Sequence, residues 1–140
     1  MFDRIEVAAG VVTNAEGRIL ICRRKGELEG LWEFPGGKRE KGETFQQCLE
    51  RELMEELDLA VEAGESLGSI LRRDGGRMIW LVFVSAKLKP DSAPLSLHVH
   101  GKAAWVLPEE MPAYAFCPAD ESFLKQYLPT LAALKTGVSR

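Results

Sequence analysis

Apolar positions set the frame. Ile5 to Thr13 is a run rich in valine and small residues that predicts a strand, and Asn14-Ala15-Glu16-Gly17 closes it with a turn signal. Arg18 to Arg24 carries Ile19, Leu20, Ile21 and Cys22 and predicts a second strand. After a glycine-punctuated stretch from Gly26 to Gly30, Leu31-Trp32-Glu33-Phe34 reads as a short extended piece stopped by Pro35-Gly36-Gly37. The period then changes. Thr44 with Gln47 three residues on forms a capping box, and apolar residues recur at Phe45, Cys48, Leu49, Leu53 and Leu57, the signature of a helix. Leu67 to Arg72 and Met78 to Lys87 predict two strands joined around Asp74-Gly75-Gly76, a hairpin signal. Met78 to Val84 is apolar on both faces, which places it centrally in a sheet covered on each side. Beyond Pro90 and Pro94, Leu95 through Val106 reads as a further strand region, and Pro108-Glu109-Glu110 as a helical turn. A last helix begins near Asp120, with Pro129 expected to interrupt or end it. One helix embedded between strands and another at the end predict an α/β sandwich, with residues 1–140 as a single domain.

Charge and composition narrow the function classes. Eighteen basic residues against 21 acidic ones leave a net charge of −3. That argues against a nucleic-acid polymer held by phosphate contacts, which calls for a basic face. The longest uncharged apolar run, Met78 to Ala86, is too short to span a bilayer. Asp3, Arg4 and Glu6 precede any apolar stretch, so no secretory signal is read and a cytoplasmic domain without membrane attachment is expected. Cys22, Cys48 and Cys117 are odd in number and lack a Cys-x-x-Cys pair, so they read as small buried hydrophobes. His98-Val99-His100 would put two imidazoles on one strand face, with no Cys or third His near to complete a metal site.

The chemistry concentrates on the first helix and the loop before it. At about 100° per residue, Glu52, Glu55 and Glu56 fall within an arc of roughly 100°, beside a ridge of Leu49, Leu53 and Leu57. Two unit charges about 6 Å apart repel by roughly 3 kcal/mol at an effective dielectric near 20, a penalty that a bridging cation removes. Oxygen ligands without thiolate or imidazole favour Mg²⁺ or Mn²⁺ over zinc. Taken alone, the same ridge also fits a solvated acidic face. Pro35-Gly36-Gly37 brings bare backbone near the helix, and Lys38 and Arg39 add charge suited to phosphate oxygens. This is not a Walker A loop: Trp32 stands where its first glycine would be, and Arg39 follows Lys38.

Gly37, Glu43, Arg51-Glu52, Leu53, Glu55-Glu56 and Leu59 stand in the register of the signature box of the Nudix hydrolases, which this chain resembles. Asp58 is the single departure, at a position where the family usually has glycine; Asp tolerates a left-handed backbone better than most residues. Arg23-Arg24, the stretch Trp32 to Gly37, and Pro118-Ala119-Asp120 also resemble their counterparts in MutT-like members. The resemblance implies an α/β/α sandwich around a mixed sheet, and Mg²⁺-dependent (or Mn²⁺-dependent) cleavage of a small nucleotide by a monomer or homodimer. It implies that the Gly36 carbonyl, Glu52 and Glu56 hold the metal, with Glu55 as a further ligand or a partner to those ligands, that Glu52 activates water, and that Arg51 pairs with Glu43. Substrate contacts would fall to Arg24, Trp32, Glu33, Phe34, Gly37, Lys38 and Asp120.

Some relatives use an additional acid from a later loop, but Ser92 to Pro108 holds no Asp or Glu, so that ligand is absent or replaced by water or a histidine. Asp120 reads two ways, as a helix N-cap or as a carboxylate facing the nucleobase. The expected reaction releases a monophosphate and pyrophosphate from a (deoxy)nucleoside triphosphate, with 8-oxo-dGTP first and CTP or a methylated pyrimidine second. An inactive nucleotide-sensing module is the alternative from another class.

Overall fold

In the computed structural model, which describes residues 3–135, seven strands form one mixed sheet. Strand β1 (Asp3–Thr13) runs parallel to β6 (Arg77–Leu88) along its whole length, from Asp3 beside Arg77 to Thr13 beside Lys87. Hairpin strand β5 (Val61–Asp74) lies antiparallel to β6 at the sheet edge. On the other side come β2 (Ile19–Arg23) and the short β3 (Trp32–Glu33). Strand β4 (Gly36–Lys38) pairs with β1, and β7 (Lys102–Val106) pairs with β2.

Helix α1 (Phe45–Leu57) covers one face of this sheet and α2 (Pro118–Lys135) the other. Strand periodicity divides the core accordingly. Leu20, Cys22, Val82 and Val84 join Leu49, Leu53 and Leu57 in one cluster, whereas Ile19, Ile21 and Phe83 join Phe123 and Leu131 in the other. The run from Met78 to Val84 is therefore apolar because β6 is covered on both faces, as its pattern predicts. The three cysteines are buried and free. No helix among the described residues is long and apolar enough to cross a membrane.

Helix α1 starts where its capping box places it. The Thr44 hydroxyl accepts from the Gln47 N–H at 3.0 Å, and the Gln47 side chain accepts from the Thr44 N–H at 2.9 Å. It ends at Asp58, held left-handed at φ 58°, whose N–H reaches the Met54 carbonyl at 3.1 Å.

Five features depart from the sequence pattern. Pro35-Gly36-Gly37 does not stop a strand; Gly36 opens β4, where a Cβ would lie 1.8 Å from the Ala8 carbonyl oxygen. Strand β5 begins at Val61 rather than Leu67, because pairing with β6 carries a stretch whose exposed Glu62 and Glu65 break any apolar alternation. Residues 95–101 are not a strand. The amides of Ser96 and His98 are taken by the Leu57 and Glu56 carbonyls at 2.9 and 3.2 Å, so this segment caps α1 instead of pairing in the sheet. Helix α2 starts at Pro118, ahead of Asp120, with the Glu121 N–H already bonded to the Cys117 carbonyl at 2.9 Å. Pro129 sits inside α2 without ending it; the proline is exposed, and Leu131 one half-turn later is fully buried.

Candidate active site

Strand β4 and helix α1 meet edge to face, and glycine makes the approach possible. A Cβ on Gly37 would stand 2.2 Å from the Glu52 carboxyl carbon, so the Glu52 side chain lies against bare backbone. One arginine organises what surrounds it. Arg51 presents Nε and Nη2 to the two Glu43 oxygens at 3.0 and 2.6 Å, a bidentate fork, and Nη2 also donates to the Lys38 carbonyl at 3.1 Å. Its Nη1 donates to Glu52 at 2.8 Å and Glu55 at 3.1 Å. The Arg51 fork holds the Glu43 carboxyl down at about 2, and these acids in turn hold the guanidinium protonated. Arg51 thus fastens the loop from Lys38 to Glu43 onto the helix and orients Glu52, the pairing with Glu43 that the sequence resemblance implies.

Glu56 behaves differently. Burial, and next the Glu52 carboxylate beside it, push its carboxyl up to about 7. Glu56 lines a cleft of about 220 Å³ together with Gly36, Glu33, Arg24, Lys25, Val99 and His100. Glu33 is gripped from both sides: Arg24 Nη1 donates to Oε1 at 2.9 Å, and His100 Nε2 bonds Oε2 at 2.8 Å. Arg24 Nε donates to the Glu27 carbonyl at 2.9 Å, which ties the glycine-rich loop to the same point.

The remaining residues singled out in the sequence do not line this cleft. Trp32 and Phe34 are buried in the α2-side core, Trp32 edge-on to Tyr114 and Phe34 stacked on Phe116. The Lys38 residue is exposed at the strand end. Asp120 is not the N-cap of α2, since the helix begins at Pro118; instead its Oδ1 accepts from the Phe34 N–H at 2.9 Å. Only 4% exposed, its carboxyl is pushed up to about 7 by burial. The two histidines do not share a face. His98 is exposed and bonds Asp58 at 2.9 Å, whereas His100 is buried against Glu33. His100 was legible in sequence only as half of a strand pair; its partner Glu33 lies 67 residues away.

Oxygen donors dominate the acidic ridge, and their chemistry suits a hard divalent cation: the Gly36 backbone and Glu56 at the cleft, with Glu52 laid over Gly37. Among the described residues, no three Asp, Glu, His or Cys side chains converge closely enough to enclose an ion unaided. Positive charge between Glu52 and Glu55 comes here from Arg51 Nη1. Fold and site together define an α/β/α domain that gathers carboxylates on one helix against a glycine strand.

Comparison with known proteins gives that class its family. The family model described as NUDIX domain matches residues 3–127. The CTP pyrophosphohydrolase of Escherichia coli (strain K12) is 39% identical over 132 residues, covering 92% of this chain and 95% of its own. A putative 8-oxo-dGTP diphosphatase 2 of Mycobacterium tuberculosis (strain H37Rv) is 30% identical, covering 100% of this chain and 99% of its own. Among solved structures, that of the E. coli ORF135 protein superposes with a TM-score of 0.81 at 37% identity, covering 94% of each chain. The chain belongs to the Nudix family.

Proposed function

We propose that this chain is a nucleoside triphosphate pyrophosphohydrolase that depends on Mg²⁺, or Mn²⁺ in its place, with residues 1–140 working as one domain. The observation that carries this reading is the placement of Glu52 against Gly37 and of Glu56 beside Gly36, with Arg51 fixing the first of these acids. The bound cation would lower the pKa of water and neutralise phosphate charge. Gly36, Glu52, Glu55 and Glu56 would hold it. The Glu52 carboxylate accepts the proton of the attacking water, whose oxygen bonds phosphorus as the anhydride bond breaks and pyrophosphate leaves. Lys38 is free to meet phosphate oxygens, while Arg24 and Glu33 face the substrate from the cleft wall. Gly37 keeps the backbone flat there, and Trp32, Phe34 and Asp120 support that wall from beneath. The reading fits a monomer or a homodimer. The reading places the enzyme in the cytoplasm with the nucleotide pool.

A cytidine triphosphate is the substrate we favour, on the 39% likeness to the CTP pyrophosphohydrolase along almost the full chain. Oxidised guanine nucleotide is the second reading, supported by several relatives named 8-oxo-dGTP diphosphatase. Ranking kcat/KM over canonical, methylated and oxidised triphosphates separates the two. Glu52→Gln tests the reaction itself. The variant is expected to lose about three orders of magnitude or more in kcat, with a much smaller change in KM, because the carboxylate acts on water and cation rather than on the base. Activity of the variant within tenfold of the parent would move the base to another residue, whereas nucleotide binding without turnover in the parent would replace the enzyme reading with a sensing module.

A further inference from the structure

His100 is the one buried side chain among the described residues that leaves a nitrogen or oxygen without a partner, at Nδ1. Its side chain is only 3% exposed. A buried polar atom left unpaired is costly, so such an atom calls for a ligand. The ring stands in the cleft that Gly36, Glu33 and Glu56 also line. Its other nitrogen, Nε2, is 2.8 Å from Glu33 Oε2, and Arg24 holds the opposite Glu33 oxygen. A carboxylate at Nε2 fixes the proton on that nitrogen and leaves Nδ1 as a lone-pair donor. Metal-binding histidines are oriented in this way, one ring nitrogen donating to a carboxylate while the other faces the ion.

The segment that carries His100 is fastened at both ends. The Ser96 and His98 amides bond the last carbonyls of α1, and the Gly101 N–H reaches the Arg23 carbonyl at 3.0 Å. No carboxylate comes from this segment, since Ser92 to Pro108 contains neither Asp nor Glu. We propose that His100 Nδ1 is a nitrogen ligand to the divalent cation of this site, joining the Gly36 carbonyl and Glu56. The proposal rests on the hydrolase reading and adds a consequence to it. An imidazole donor favours a transition ion over Mg²⁺, which takes oxygen ligands. The preference for Mn²⁺ over Mg²⁺, read as a ratio of Kd values, is therefore expected to fall about tenfold in His100→Gln, which keeps a donor toward Glu33.

Pulsed electron paramagnetic resonance on tag-free, Mn²⁺-loaded protein tests the assignment without any activity measurement. The chain has only two histidines, so His98→Ala suffices to assign a signal. Expected is a ¹⁴N coupling of a directly bound imidazole in the parent that persists in His98→Ala and converts to ¹⁵N on histidine labelling. Loss of the coupling in His98→Ala would overturn the proposal. If Mn²⁺ binds and triphosphate is hydrolysed with no nitrogen coupling, His100 is not a ligand and the hydrolase reading stands. If neither Mn²⁺ binding nor hydrolysis occurs, both fall.

Discussion

Two charged regions lie a turn apart on α1 and are built on opposite terms. Around Arg51, four hydrogen bonds to Glu43, Glu52 and Glu55 match one fork of donors to the surrounding acids, and the Glu43 carboxyl is held well below its usual range. Around Glu56, burial and a neighbouring carboxylate work against the charge, and His100 keeps an unpaired nitrogen close by. In the first region the Arg51 fork is fully paired and holds Glu43, Glu52 and Glu55 in place. The second carries a deficit that a cation would remove. Strained electrostatics beside a satisfied network is the arrangement expected where pre-organisation serves binding.

Breaking the satisfied region gives the largest of the remaining effects. Arg51→Lys keeps the charge but loses the planar fork that bridges Glu43 and Glu52. Activity is expected to fall by about 10–100-fold, with cation affinity falling alongside, since in the proposed site the residue orients a cation ligand. Titration of cation by calorimetry checks this, and unchanged affinity would remove Arg51 from the positioning role.

The strained region is sharpened by pH. Glu56 has its usual value of 4.5 when unfolded and about 7 when folded, so the folded state binds the proton more tightly. Stability from this group is fully present below pH 4.5 and is lost as pH rises through 7. Asp120 changes in the same direction, from 3.8 to about 7. Cation-free protein should therefore unfold more easily at pH 7.5 than at pH 5. Glu56 alone contributes about 1–2 kcal/mol after allowing for solvent screening. Thermal scans with Mg²⁺ should recover the Glu56 share only, and Glu56→Gln should flatten it. A midpoint that rises from pH 5 to 7.5 would contradict the assignment.

His98 supplies the smallest effect. Its pair with Asp58 is half exposed on both sides, and such pairs contribute little. His98→Ala should change the thermal midpoint by a degree or two and leave cation affinity untouched, because the Ser96 and His98 amides still hold the segment to α1.

Local chemistry explains what could be read before any coordinates. The Thr44–Gln47 box, the leucine ridge and the two-sided β6 are short-range patterns, and all three hold. Strand β4 escaped because two glycines pair through backbone alone, with no side-chain alternation to see. Leu95, Leu97 and Val99 alternate like a strand, yet their segment is recruited by free carbonyls of α1, a long-range demand invisible in the pattern. Pro118 was the legible start signal for α2, since proline suits the first helical position, and reading it would have removed the cap role of Asp120. The bond from Phe34 to Asp120 spans 86 residues and needed the fold itself. Among the site residues, the Arg51 pairing followed from the box, while the Glu33–His100 contact did not.

The central claim is that the acidic ridge of α1 serves hydrolysis of a nucleoside triphosphate between its first and second phosphates. ³¹P NMR of the reaction in H₂¹⁸O with Mg²⁺ tests it most directly. The account predicts equal amounts of nucleoside monophosphate and pyrophosphate, with one ¹⁸O incorporated and no signal from Glu52→Gln. Orthophosphate and a nucleoside diphosphate as products, or full turnover by Glu52→Gln, would contradict it.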